Sequence, residues 1–352
     1  MPDLIIEAGR TERQYWRDIW RYRELFYFLA WRDLLVRYKQ TIIGIAWSVI
    51  RPFLTMLVLV IVFGAFGKMP DAGVPYPVLV FCGLLPWQFF STAFSESGNS
   101  LISNSNLISK IYFPRLVIPA SSVITSFVDF IISAFILVGL MVWYHYVPSA
   151  NVYYLPIFVF LAFAASFGAG LWIAALMVKY RDFKFIVPFI VQFGLYISPV
   201  GFLSSVVPAK WRFVYSLNPV VGIIDGFRWC ILNGHQVGAG VAGSPPDQQT
   251  VGFKAIATNA QDIAAKAETI VSNATQVAGN SVNIGQSADQ IAKSAQHILR
   301  SAETISNSQH IVAGSQPLYW PGLALSVAGV IFLVASGVWY FRKTERTFAD
   351  VI

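Results

Sequence analysis

The chain has 352 residues, of which 56% are hydrophobic and only 12% charged, and its formal net charge is +7. A soluble domain carries about 25% charged residues, so this composition excludes an ordinary water-facing globule and makes lipid the expected solvent. The basic residues flank apolar runs, as membrane topology demands, which argues against nucleic acid as a partner.

The first twenty residues have no apolar core, so no cleaved signal peptide is expected. Trp16, Ile19, Trp20, Arg23, Tyr27, Trp31, Leu34 and Tyr38 then recur at spacings of three and four, with mostly charged positions between them. That pattern describes an amphipathic helix lying in the membrane interface over residues 1–40; a soluble helix packed on a partner is the alternative. Six apolar runs follow, at residues 45–66, 76–98, 116–143, 153–178, 185–202 and 322–341, the fifth broken by Pro188 and Ser198-Pro199. Each is near the roughly 20 residues a spanning helix needs. Trp47, Trp87, Trp143, Tyr153, Trp320 and Trp339 fall near their ends, where amphipathic rings prefer to sit.

Charge orients the runs. Arg10, Arg13, Arg17, Arg21, Arg23, Arg32, Arg37 and Lys39 precede the first run, and Lys110 and Arg115 follow the second. Lys179, Arg181 and Lys184 follow the fourth, and Arg342, Lys343 and Arg346 follow the last. The first loop has only Lys68 and the third none. The positive-inside rule therefore predicts an all-α protein with six transmembrane helices and both termini cytoplasmic.

Residues 236–316 break the pattern. From Val237 onward the composition turns to Ala, Ser, Asn, Gln and Thr. Ile256, Ile263, Ile270, Val277, Ile284, Ile291, Ile298, Ile305 and Val312 fall seven apart without a slip, and Ala follows most of them four residues later. This is a coiled-coil seam. Both ends must return to one membrane face, and a single helix of about 60 residues would end roughly 90 Å away. Gly279 and Gly285 interrupt the middle, so the expectation is an extracytoplasmic helical hairpin with arms near 252–278 and 286–313.

Candidate chemistry is sparse. The phosphate-loop pattern Gly-x-x-x-x-Gly-Lys-Ser/Thr is absent, so ATP hydrolysis is not expected here, and no catalytic or metal-ligating set can be proposed. His145, His235, His297 and His310 lack ligand spacing, and Cys82 and Cys230 sit in apolar segments, where two buried thiols are the expectation and an outer disulfide the alternative. Ionisable groups inside spans are functional candidates. Asp129 lies mid-span and is expected to pair with a polar neighbour such as Gln192. It reads as a point on a substrate path or as a satisfied packing group. Arg51 either snorkels to the interface or meets a phosphate head group, and Glu96 lies near the inner end of the second run. Among the abundant aromatics, Phe53, Trp87 and Phe90 are candidates to line a conduit, since rings stack on sugar faces, although core or lipid-facing packing explains them equally well.

Several stretches resemble one family, the ABC-2 class permease subunits that export O-antigen, capsular polysaccharide and teichoic acid. They run from Trp31 through Arg51-Pro52, then Gly83-Leu-Leu-Pro-Trp-Gln-Phe-Phe, then Asn99 through Arg115 to Pro119. Lys179-Tyr-Arg-Asp-Phe, Ser198-Pro-Val, Leu217-Asn-Pro, Gly226-Phe-Arg-Trp and Phe341-Arg-Lys-Thr-Glu-Arg follow in order. The resemblance implies a permease core over 41–235, with the last span and tail at 317–352, in a bacterial inner membrane. It implies a homodimer working with two separate ATPase subunits, which would carry the ATP and magnesium, on a lipid-linked glycan. It makes Asn104, Asn106, Leu107, Ile108, Lys110, Ile111, Tyr112 and Phe113 the helix that couples to the ATPase, a role that suits a short amphipathic stretch ended by Pro114. It makes 206–232, with Pro208, Asn218, Pro219 and Arg228, a pair of re-entrant helices at the outer mouth. The insertion at 236–316 departs from the family, and an envelope partner for it is one expectation. A receptor or scaffold organised by the coiled coil is a rival reading, as is a permease of this class for another lipid or a drug.

Overall fold

In the computed structural model the described residues are 12–39, 46–67, 69, 74–111, 113–232, 318–345 and 348. The chain divides into two compact units. The first takes Met1–Asp71, Pro75–Leu232 and Pro317–Ile352; the second takes Ala72–Val74 and Asn233–Gln316, of which only Val74 is described. The heptad hairpin expected at 252–313 therefore lies outside the described residues.

The described part of the first unit is helical. Two helices, α1 (Glu12–Arg21) and α2 (Arg23–Lys39), replace the single interfacial helix expected. The first span, α3 (Ala46–Leu59), continues as a π-helix over Val60–Phe66. Then come α4 (Tyr76–Ser103), the short α5 (Ser105–Lys110), α6 (Val117–Trp143) and α7 (Leu155–Lys179), the last entered through a 3₁₀ turn at Ala150–Tyr154. They are followed by α8 (Phe183–Ile197), α9 (Ala209–Tyr215), α10 (Pro219–Leu232) and α11 (Trp320–Glu345).

Five of these are long and apolar enough to cross a membrane: α3 with its π extension, α4, α6, α7 with its 3₁₀ entry, and α11. The run expected at 185–202 forms a helix of 15 residues, Phe183–Ile197, about 22 Å long. Of the two breaks expected in that run, Pro188 lies inside the helix and Ser198-Pro199 ends it. Pro199 crowds the residue before it out of the helical region, and Ser198 is extended, at φ −77° and ψ 151°.

The core is organised on α4, which packs against α3, α6, α7 and α10. Close approach comes from small residues. Gly98 faces Ile173 and Met177 of α7, Gly170 of α7 faces Ser97, and Ser97 donates to the Pro119 carbonyl of α6 at 3.1 Å. With no hydrophobic drive between helices in lipid, such contacts hold a bundle together. The crossing of α7 and α11 is tighter still. A Cβ on Gly168 would lie 2.7 Å from the Leu333 backbone, and one on Gly337 would lie 2.5 Å from the Gly168 carbonyl oxygen. Beside that crossing, Trp172 stacks on Tyr340 at 4.4 Å and donates to Ser336 Oγ at 3.0 Å.

One loop end is built without glycine. At the end of α6, Tyr146 N–H reaches the Met141 carbonyl and His145 N–H the Val142 carbonyl, with His145 at φ 51°. This is a Schellman ending that puts a histidine where glycine is usual.

Candidate coupling and transport sites

At one end of the bundle, here called the near end, α1, α2, α5 and the last turns of α7 and α11 share an apolar cluster. Leu29, Ile108, Phe113, Leu116, Val117, Leu171, Val178, Phe341 and Phe348 are buried in it, with Leu107 packed against it. The stretch expected as a coupling helix thus has an inner face, Leu107, Ile108 and Phe113, and an outer face, Asn106, Lys110 and Ile111. Tyr112 lies outside the described residues. Asn104 stands at the head of α5. It accepts from Arg32 Nη2 of α2 at 2.7 Å while its own amide donates to the Ser100 carbonyl at 2.9 Å. After α5, the Arg115 backbone N–H donates to Glu345 Oε1 at 2.8 Å and the Arg115 guanidinium to the Glu345 carbonyl, fixing the loop to α11. Arg342 lies over the Tyr15 ring at 4.8 Å, and burial, then the Glu345 carboxylate, hold the Tyr15 phenol well above its usual range.

Next to this junction a cavity of about 310 Å³ opens among α2, α3, α4 and α6. Its wall carries Arg37, Tyr38, Ser48, Arg51, Gln88, Thr92, Glu96 and Asp129. Asp129 is the hub. It accepts from the Arg37 guanidinium, the Tyr38 hydroxyl and, at 2.8 Å, Ser48 Oγ. The other end of the Arg37 guanidinium meets Glu96 Oε1 at 2.9 Å. Burial and then the bond to the Asp129 carboxylate push the Tyr38 phenol up to about 12. Gln88 Oε1 is buried with no hydrogen-bond partner among the described residues. Arg51, exposed on α3, has no ion-pair partner among the described residues.

The expected pairing of Asp129 with Gln192 is thereby corrected. Gln192 is exposed on α8, while Asp129 accepts from donors of α2 and α3. The pairing to Arg37 spans 92 positions in sequence. It depends on α2 running along α6, which periodicity does not reveal. The remaining candidates scatter. Phe53 is exposed on α3. Trp87 is buried and presses on α8, where a Cβ at Gly194 would lie 2.3 Å from its ring. Phe90 lies 5.9 Å from Trp87 and stacks on Phe94 at 5.8 Å. The structure brings Arg51 and Asp129 to one cavity and does not bring Phe53, Trp87, Phe90 and Gln192 together with them.

The other end of the bundle is built around Arg228. It is 5% exposed and donates to three carbonyls: Leu79 of α4 at 3.3 Å, and Val200 and Phe202 of the segment after α8 at 2.7 Å each. Its guanidinium crosses Gly83, where a Cβ would come within 2.6 Å of it. Pro208 caps α9 from outside. Asn218 caps α10, accepting from Val220 N–H at 3.1 Å and donating to Ser198 Oγ at 3.2 Å, and Pro219 begins that helix, the position where proline's missing N–H costs nothing. The four residues expected at the outer mouth therefore organise one segment, with Arg228 as its buried anchor. Asp225 adds a carboxylate that accepts from Ser204 at 2.6 Å.

The chain is similar to two proteins named O-antigen export system permease protein RfbA. With that of Klebsiella pneumoniae it shares 29% identity over 212 residues, 60% of this chain and 81% of the relative. With that of Myxococcus xanthus it shares 29% over 215 residues, 60% and 82% respectively. It is also 24% identical to the polysialic acid transport protein KpsM of Escherichia coli over 211 residues, 58% of this chain and 80% of the relative. The model of the ABC-2 type transporter family matches residues 24–232, which holds α5 and its Arg32 contact, the polar cavity and the Arg228 segment alike. This multi-pass membrane protein belongs to the ABC-2 type transporter family.

Proposed function

We propose that the chain is the membrane permease subunit of an ABC exporter that moves lipid-linked polysaccharide across the bacterial inner membrane. The observation that carries this is the family match joined to relatives named for O-antigen export and for polysialic acid transport. Two copies of the chain work with two copies of a separate ATPase, on which ATP and magnesium act; no cofactor is assigned to this chain. The near end is cytoplasmic, as the basic residues around it require, and both termini lie there. The outer face of α5 seats in the ATPase. The sixth crossing is α8 with its non-helical continuation to Phe202, and α9 and α10 are the re-entrant pair. The coiled coil at 236–316 falls outside the matched segment and serves as an outer docking stalk for an envelope partner.

Deletion of the gene tests the reading. Loss of surface glycan, with the undecorated lipid-linked polymer retained inside, is the expected outcome. An unchanged surface, together with failure to copurify any ATPase, would overturn it. Deleting residues 240–315 should leave the ATPase bound and remove only the envelope partner.

A further inference from the structure

The first span is the loosest long helix of the bundle, and what holds its near end is polar. Within α3 only Pro52, Met56 and Leu59 are buried, and nothing in the π segment is. At the near end its ties to α6 are Ser48 Oγ to Asp129 at 2.8 Å and Ser133 Oγ to the Ser48 carbonyl at 3.5 Å. The first tie needs Asp129 held in place inside a span, where an unpaired carboxylate is costly. Arg37 meets that need. One guanidinium joins Asp129 of α6 to Glu96 of α4, so three helices meet on it and a fourth, α3, hangs from the same carboxylate.

Arg37 is also mechanically placed. It sits five residues after Arg32 on α2, about 7.5 Å along one helix, and Arg32 holds Asn104 at the head of α5. A displacement of α5 therefore acts through a single rigid segment on the Arg37 contacts. A second cation stands ready, since Arg51 lines the same cavity without an ion-pair partner among the described residues. The carboxylates thus have somewhere to turn when Arg37 withdraws, which is what a two-state element requires.

We propose that Arg37 is a positioning residue for transport: its ion pairs with Glu96 and Asp129 pin the near end of the first span to the bundle, and movement of α5 releases that pin through α2. The coupling half of this rests on the exporter reading above; the pinning half does not.

The test uses full-length protein in native membranes with its ATPase. Thr92→Cys places a thiol on the cavity wall, and Cys82 and Cys230, both buried and free, give little background. Labelling by a charged aqueous thiol reagent should be slow in this parent and about tenfold faster with Arg37→Ala, the change expected when a state populated at about a tenth becomes dominant. Ser48→Ala, which cuts the α3 tie and leaves both Arg37 ion pairs, should also speed labelling, an effect a fold defect at Arg37 would not explain. In the same membranes Arg37→Ala should keep ATP hydrolysis while the glycan exported per ATP falls severalfold. Where Arg37→Ala is poorly recovered, Arg37→Lys, which reaches one carboxylate at a time, should label at an intermediate rate. Parent-like labelling in a recovered Arg37 variant overturns the pin and leaves the exporter reading intact. A parent that shows no ATP-dependent export overturns the exporter reading, while the labelling still decides whether Arg37 holds the span.

Discussion

The first and second spans invite comparison because each carries an internal proline, Pro52 and Pro86, yet they occupy opposite environments. In its most apolar stretch α4 is 78% buried within the protein, and the first span only 17%. The buried one is the more polar. It carries Ser91, Thr92, Ser95, Glu96, Ser97, Asn99 and Ser100, while the exposed one presents Phe53, Leu54, Leu57, Val58, Ile61 and Val62. In water this would be inverted. In hydrocarbon every polar group must find its partner inside the protein, so polarity drives α4 inward and greasiness leaves α3 facing lipid or a second copy. The residues that look least like a membrane span are the ones that centre the bundle.

The sharpest way to break this contrast is at the buried arginine that clasps α4. Arg228→Met removes the side-chain donor from three carbonyls and should cost about 1–3 kcal/mol for each one left unsatisfied, read as a large fall in the melting temperature of detergent-solubilised protein. Gly98→Leu forces a side chain into Ile173, whose Cγ2 would already lie 2.3 Å from an added Cβ. It should cost about 1–3 kcal/mol or more by overpacking, in the same assay. On α3, by contrast, Val58→Leu should shift melting by less than about 0.5 kcal/mol, as for a surface substitution away from special features. A comparable loss there would show that α3 is packed against a second copy in the preparation.

Two smaller effects sharpen the picture away from α4. His145→Gly removes an L-residue from left-handed backbone and should stabilise the α6 end by about 1 kcal/mol. Tyr38, raised to about 12 in the folded protein from an ordinary value of about 10, contributes stability that is whole below pH ~10 and lost as pH rises through 12. Tyr38→Phe should flatten the alkaline melting curve between those values.

Much of this was legible in the residues. The apolar runs located the five long spans, and the family resemblance through Asn99 to Pro119 pointed to α5. The break expected at Ser198-Pro199 is where α8 ends, because proline disfavours helix at the residue before it, whereas Pro188 is carried inside the helix. Arg37 was read only as one of many basic residues ahead of the first span, because its partners Glu96 and Asp129 come from helices far along the chain. Arg228 was named only through the family resemblance, as part of the outer segment and not as its anchor. Its partners are backbone carbonyls, which every residue possesses and no sequence distinguishes.

The backbone contact between Gly168 and Gly337 has a consequence for how such a chain can change over time. Because the last helix finds its seat through its own glycine, its tryptophan partner and its serine, its address does not depend on the length of the segment that precedes it. Each doubling of a flexible excursion adds only about 0.6 kcal/mol to the cost of bringing its ends together. A transporter with a self-addressed final helix can acquire a long insert ahead of it and still close the same bundle.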